Sequence, residues 1–251
     1  MPWKTGSRRV HDDALGKFYA KSMANGGTAF VNDPVSGGDL PTSRSMIFVS
    51  PDGERSMNTY LGISTDLGPE DVPDEVASGA KIIFLEGYLF DKDQGKQAFL
   101  EASRLTRAAG GKAGIAISDP FCVNRHRADF LRMIGDELDY VIGNEAEIRS
   151  LFETDDLEDA LARTAAMCSL VVCTRSGDGV TSLWTQPGPV ISLPLVSCMV
   201  LQPGAIWKHA DGWVTSVQLR SLAMLALDLR FPSWTFSRLK VWSDHAGGRA
   251  A

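Results

Sequence analysis

From residue 81 onward, short apolar runs alternate with amphipathic stretches. Lys81–Leu85, Ala113–Ser118, Tyr140–Gly143 and Leu170–Thr174 are compact apolar segments recurring about every 30 positions. Between them, Gln94–Ala109 sets Phe99, Ala102 and Leu105 on one face, and His126–Ile134, Glu145–Phe152 and Leu157–Met167 repeat at helical spacing. Strands apolar throughout, joined by helices, predict right-handed βαβ units and a parallel sheet. A further strand, Val180–Trp184, follows a turn at Thr174–Gly179.

The amino-terminal part is patterned differently. Asp12–Gly27 predicts a helix, with Leu15, Phe18, Tyr19 and Met23 at helical spacing, Asp12 or Asp13 as cap and Gly26-Gly27 as stop. Ser45–Ser50 and Arg55–Tyr60 are extended runs joined by Pro51-Asp52-Gly53, which signals a hairpin. One of its faces is expected to cover another surface.

Hydrophobic residues make up 44% of the 251 and charged residues 22%, which excludes wholesale disorder. The net charge of -6 argues against a broad nucleic-acid footprint. Cys122, Cys168, Cys173 and Cys198 form no CxxC pair, which excludes a disulfide scaffold and a common zinc module. They are expected to be core thiols. No apolar run reaches the ~18–20 residues of a membrane span, and Met1–Val10 lacks the apolar centre of a signal peptide. The expectation is a soluble cytoplasmic protein with no membrane partner.

The averages conceal a break. Up to Leu183 there are 19 basic and 28 acidic residues, a net of -9; Trp184–Ala251 has 6 basic and 3 acidic, a net of +3, with no glutamate and five of the six tryptophans. Either a separate small domain begins there or the tail is translated out of frame.

In parallel sheets ligands bind beyond the carboxyl ends of the strands. Glu86-Gly87-Tyr88, Asp119-Pro120, Asn144 with Glu147, and Thr174–Gly179 hold those positions. The N-x-x-E pair is explained by a helix capping box alone, yet a carboxylate there also suits Mg²⁺ beside phosphate oxygens. Thr174–Gly179 is a turn into the next strand, or a run whose amides and hydroxyl approach a nucleotide phosphate. It is neither a P-loop nor a dinucleotide fingerprint. Arg125, His126 and Arg127 read as a solvated helix start, and the four histidines are too scattered for a metal site or a Ser-His-Asp arrangement.

Together these pieces resemble the PfkB (ribokinase-like) family of carbohydrate and nucleoside kinases over about residues 10–181. The resemblance is carried by Asp13-Ala14-Leu15-Gly16, by Thr42–Val49 with Asp52–Asn58, and by Glu86-Gly87-Tyr88. It continues through Ser118-Asp119-Pro120-Phe121, Gly143-Asn144-Glu145-Ala146-Glu147 and Val172-Cys173-Thr174-Arg175-Ser176. The wording of the hairpin and Thr-Arg-Ser look most like the adenosine-kinase-like branch. The resemblance implies a ribokinase-like α/β three-layer sandwich around a mainly parallel sheet, with a small β-hairpin lid at about 42–62. It implies transfer of the γ-phosphoryl of ATP to a primary hydroxyl of a sugar or nucleoside. It places Glu147 with Asn144 in the Mg²⁺ and phosphate region, Thr174, Ser176 and Gly179 at the nucleotide, and Arg55 and Asn58 on the lid near the substrate. A homodimer through the lid, with Met46, Phe48 and Met57 on its contact face, is a further expectation.

The family's Asp-Thr-x-Gly-Ala-Gly-Asp run, whose last Asp is the catalytic base, is absent from the sequence, as are the first strand and the Gly-Gly motif after it. No catalytic residue is therefore assigned. Residues 1–183 are expected to form an incomplete, catalytically impaired ribokinase-like domain, with 184–251 as an out-of-frame or poorly ordered tail. Loss of the first strand is expected to leave Ile82, Phe84 and Ile115 poorly covered. The competing readings are a non-catalytic ligand-binding or interaction protein and, less suited to the hairpin, a nucleotide-binding regulator.

Overall fold

The structure, a computed structural model, describes residues 4–53, 55–175 and 179–184. The expected tail therefore lies outside the described residues from position 185, as does Ser176. A short parallel pair, β1 (Thr5–Gly6) and β2 (Ala29–Phe30), flanks α1 (Ala14–Asn25). Asp13 rather than Asp12 caps α1, accepting from the Gly16 amide at 2.7 Å, and Gly26 closes the helix. The hairpin follows as β3 (Arg44–Val49) and β4 (Arg55–Tyr60), with the Ser45 and Thr59 hydroxyls 2.8 Å apart across the pair.

The remainder is the α/β body: α2 (Asp74–Gly79), β5 (Ile82–Glu86), α3 (Asp93–Ala108), β6 (Lys112–Ala116) and α4 (Pro120–Glu137). It continues with β7 (Tyr140–Asn144), α5 (Glu145–Phe152), α6 (Leu157–Ala165), β8 (Leu170–Thr174) and β9 (Val180–Trp184). The five strands lie in the order β5-β6-β7-β8-β9; the first four are parallel and β9 runs antiparallel to β8. Successive helices α3 to α6 pack side by side, so one sheet face carries them all. There Ile115, Val141 and Val171 meet Phe99, Phe130 and Ile148, and the Phe90 and Phe130 rings stack at 4.0 Å. On the other face Tyr140, Leu170 and Val172 are also buried. Cys122, Cys168 and Cys173 are buried free thiols, as expected.

Three expectations change. Ile115 is fully buried because β6 is an interior strand, while Ile82 and Phe84 on β5 are half-buried. Helix α4 starts at Pro120, well before His126: Asp119 caps it and proline suits the first helical position. The helical geometry breaks at His126, where α4 kinks. Arg125, His126 and Arg127 lie inside α4 rather than at its start, and each is bridged although Arg125 stays exposed. Arg125 holds Asp91 through two bonds of 3.1 and 3.0 Å, His126 Nε2 lies 2.8 Å from the same carboxylate, and Arg127 donates to the Ser150 carbonyl at 2.9 Å.

The hairpin differs most. Every residue described in both strands is exposed, and cross-strand pairing puts Met46, Phe48 and Tyr60 on one face but Ile47, Val49 and Met57 on the other. Phe48 at 63% and Met57 at 62% exposure show that both faces are apolar and open. Met57 thus does not share a face with Met46 and Phe48.

The sheet has one tight crossing. Tyr140 lies over Gly114 and reaches past β6 to donate to the Ile83 carbonyl at 2.7 Å. A Cβ at residue 114 would stand 2.3 Å from the ring. Gly114→Ala should therefore destabilise the chain by about 1–3 kcal/mol in urea unfolding. An unchanged midpoint would show that Tyr140 can move aside at no cost.

Candidate functional site

The carboxyl ends of β6, β7 and β8 deliver their turns to one edge of the sheet. After β6, the backbone passes through Ser118 at φ 80, a left-handed conformation that a serine adopts at a cost. This turn points the Ser118 carbonyl at Tyr88, whose hydroxyl donates to it at 3.0 Å. Asp119 then caps α4, its Oδ1 accepting from the Cys122 amide at 2.9 Å. Phe121, the second residue of the helix, is 75% exposed beside this edge.

After β7 the N-x-x-E pair closes a complete capping box. The Glu147 amide donates to Asn144 Oδ1 at 2.9 Å; in return Glu147 Oε2 accepts from the Asn144 amide at 2.9 Å and Oε1 from Asn144 Nδ2 at 2.6 Å. Glu147 is nonetheless only 7% exposed. Burial raises its carboxyl above the ordinary value, the Asn144 amide pulls it partly back, and the charge of Asp119 raises it again. Burial, followed by the charges of Asp119, Glu147 and Glu86, likewise raises the Tyr88 hydroxyl. Three carboxylates thus act on one tyrosine at this edge.

Thr174 ends β8 directly beside Asn144 in the sheet register. The Arg175 amide donates to the Gly179 carbonyl at 2.8 Å, and Gly179 takes φ 87 to turn the chain into β9. Arg175 Nε donates to Glu145 Oε1 at 2.6 Å, with Arg149 3.7 Å from the other oxygen, so the β7 and β8 turns are tied together. Asn144, Glu147, Thr174 and Gly179 therefore come together. Arg55 and Asn58 do not: Arg55 pairs with Val49 and Asn58 with Met46, on opposite faces of the hairpin. Tyr88, Asp119 and Phe121 were not singled out as site residues, although their signal was present in the sequence: each follows a strand end.

Among the described residues no group of three or more His, Cys, Asp or Glu side chains is placed to hold a metal ion. Glu147, whose two oxygens already accept from Asn144, fits an ion that keeps its waters and leans on phosphate oxygens, as Mg²⁺ does, better than a protein cage. The raised carboxyl has a testable consequence. A folded-state value above the ordinary 4.5 means the folded chain holds the proton more tightly than the unfolded chain. Stability relative to Glu147→Gln should thus fall as pH rises from about 4 towards neutrality in thermal unfolding. A difference that stays flat or grows over that range would contradict the burial argument.

The pfkB family carbohydrate kinase model matches residues 8–187. Among solved structures, the adenosine kinase from Sinorhizobium meliloti is 41% identical, with a TM-score of 0.69, covering 72% of this chain and 55% of that one. A protein from Rhizobium etli CFN 42 assigned as a sugar kinase is also 41% identical, with a TM-score of 0.68 and the same coverage. An E. coli protein assigned as ribokinase II, solved with ATP and Mg²⁺, shares the fold at 15% identity and a TM-score of 0.63, covering 72% of this chain and 59% of that one. The chain thus spans just over half the length of its first two relatives. None of the curated proteins compared matches it. With a match over more than two thirds of its residues and the ribokinase-like α/β fold of these relatives, the chain belongs to the pfkB family of carbohydrate kinases.

Proposed function

We propose that the site is that of an ATP-dependent kinase acting on a primary hydroxyl of an adenosine-like nucleoside or a sugar. The observation that carries this is the shared edge where the buried Asn144–Glu147 box stands beside Thr174 and the Gly179 turn. In this reading Thr174, Ser176 and Gly179 would contact the nucleotide, and Glu147, oriented by Asn144, would hold Mg²⁺ directly or through water. Neutralising charge on the phosphate oxygens is the chemistry Mg²⁺ supplies when bound. The terminal phosphorus–oxygen bond of ATP breaks as the acceptor oxygen bonds to phosphorus, and the hydroxyl proton must pass to a base. The E. coli relative solved with ATP and Mg²⁺ supports the ligand choice. Exposed Phe121 and half-exposed Tyr88 favour a flat purine over a bare sugar as the acceptor. The hairpin serves as the lid, with Arg55 or Asn58, one face only, towards the substrate. The other apolar face suits a second copy of this chain, which light scattering after size exclusion tests: a strict monomer at high concentration removes the dimer.

No base is assigned within these 251 residues. Asp119 is engaged as a helix cap and Glu147 in its box, and the Asp-Thr-x-Gly-Ala-Gly-Asp run does not occur. The family match stops at 187, three residues past the charge break at 184, which supports reading the remainder as out of frame. Translating the other two frames beyond codon 183 should recover an Asp-x-x-Gly-Ala-Gly-Asp run; its absence from both removes that idea. A non-catalytic binding protein is the second reading, favoured by the same missing run.

A coupled assay with ATP, Mg²⁺, adenosine and a sugar panel, run beside calorimetric binding, separates them. We expect ligand binding with turnover below an ordinary ~10 s⁻¹ by ~10²–10³ or more, the loss attached to a missing oxyanion donor. Chelating Mg²⁺ should abolish any turnover that remains. Turnover within tenfold of an ordinary kinase would show that another group acts as base. Absence of both binding and turnover would contradict both readings.

A further inference from the structure

The described part of the hairpin is exposed throughout, and burial begins at its two feet. Thr42, two residues before β3, is 4% exposed. Its amide donates to Asp13 Oδ2 at 2.9 Å and its hydroxyl to Asp13 Oδ1 at 2.8 Å, while the His11 amide donates to that hydroxyl at 2.9 Å. The other foot leans on the first. Gly62 takes φ 52 with its Cα so close to Pro41 that a Cβ would stand 2.1 Å from the Pro41 carbonyl. That carbonyl accepts from the Ile63 amide at 3.0 Å, and Ile63 and Ser64 are buried.

Asp13 does more here than end a helix. A cap needs one acceptor for one amide, and Asp13 Oδ1 already serves Gly16. The second oxygen is committed to Thr42, on a different segment. We infer that Asp13 is the positioning residue of the lid: one carboxylate joins the start of α1 to the first foot, and the first foot carries the second. The lid then keeps a fixed angle to α1 and moves with it. The inference rests on reading the hairpin as a lid over the strand-end site. The amides of Gly16 and Thr42 hold the Asp13 carboxyl at about 2, so the clamp stays closed at neutral pH and opens only in acid. Protonation removes the acceptor, so the protection it gives is complete above the ordinary value of 3.8 and is lost as pH falls towards 2.

Hydrogen exchange on the full chain tests this. Asp13→Ser keeps an acceptor for the α1 cap but is too short to reach both donors of Thr42. Thr42→Val leaves the cap untouched and removes the hydroxyl. Exchange at Ile63 and Ser64, far along the chain from Asp13, should rise about tenfold or more in Asp13→Ser and by a smaller factor in Thr42→Val. The amides of α1 and of β6 to β8 should keep their wild-type protection in both. Unchanged exchange at Ile63 and Ser64 overturns the inference, and so does an equal rise across α1 and the sheet, which would be general loosening. A separate arm adds adenosine and the sugar panel to the wild-type chain. Absence of added protection over Arg44–Tyr60 would count against the lid reading itself, whereas the two variants judge the clamp.

Discussion

Side-chain caps at the ends of parallel strands are the interaction on which the site depends. A parallel strand must turn into a helix whose first amides have no backbone partner. Asp119 supplies Cys122 and Asn144 supplies Glu147, so the handovers from β6 to α4 and from β7 to α5 are each fixed by a short polar side chain. Because β6, β7 and β8 run in one direction, these caps fall on one edge. In the proposed function, the groups that close the fold are also the groups that meet the phosphates. The Arg175–Glu145 bond then ties the start of the β8 turn to the β7 turn.

Two carboxylates on this chain show how context sets charge. Asp13 is solvent-accessible in part and accepts from two amides and a hydroxyl, and its carboxyl is held far below the ordinary value. Glu147 also accepts from an amide, but burial outweighs that bond and its carboxyl rises. The first is suited to a permanent clamp. The second carries an ionic charge at a cost, which a cation beside it would offset.

The α/β body was readable because its strands are short apolar runs separated by helical spacing; β8 and β9 match the pattern residue for residue. Apolar periodicity marks only His126–Ile134 of α4, because the start of the helix depends on Asp119 and Pro120 instead. The bridges of the basic trio are not legible because Asp91, the partner of Arg125 and His126, lies 34 residues from Arg125, and Ser150, the partner of Arg127, is 23 residues away; only folding brings them together. In the hairpin the continuous apolar run Met46–Val49 puts apolar side chains on both faces, so neither face is the polar one. Because side chains alternate along a strand, Arg55 and Asn58, three positions apart, face opposite ways. Asn144 and Glu147 could be found from spacing alone, since a capping box is local. The place of Tyr88 after β5 is legible in the same way, but its bond to the Ser118 carbonyl is not, because that depends on the left-handed turn after β6.

The central claim is that the carboxyl edge of the sheet is the nucleotide site. Hydrogen exchange of the wild-type chain with and without Mg²⁺ and a non-hydrolysable ATP analogue tests it most directly. The account predicts added protection over Gly143–Phe152 and the turn from Thr174 to Val180, with little change at the opposite end of the sheet around Arg107, Asp139 and Cys168. Protection confined to that opposite end, or none anywhere at saturating analogue, would contradict it.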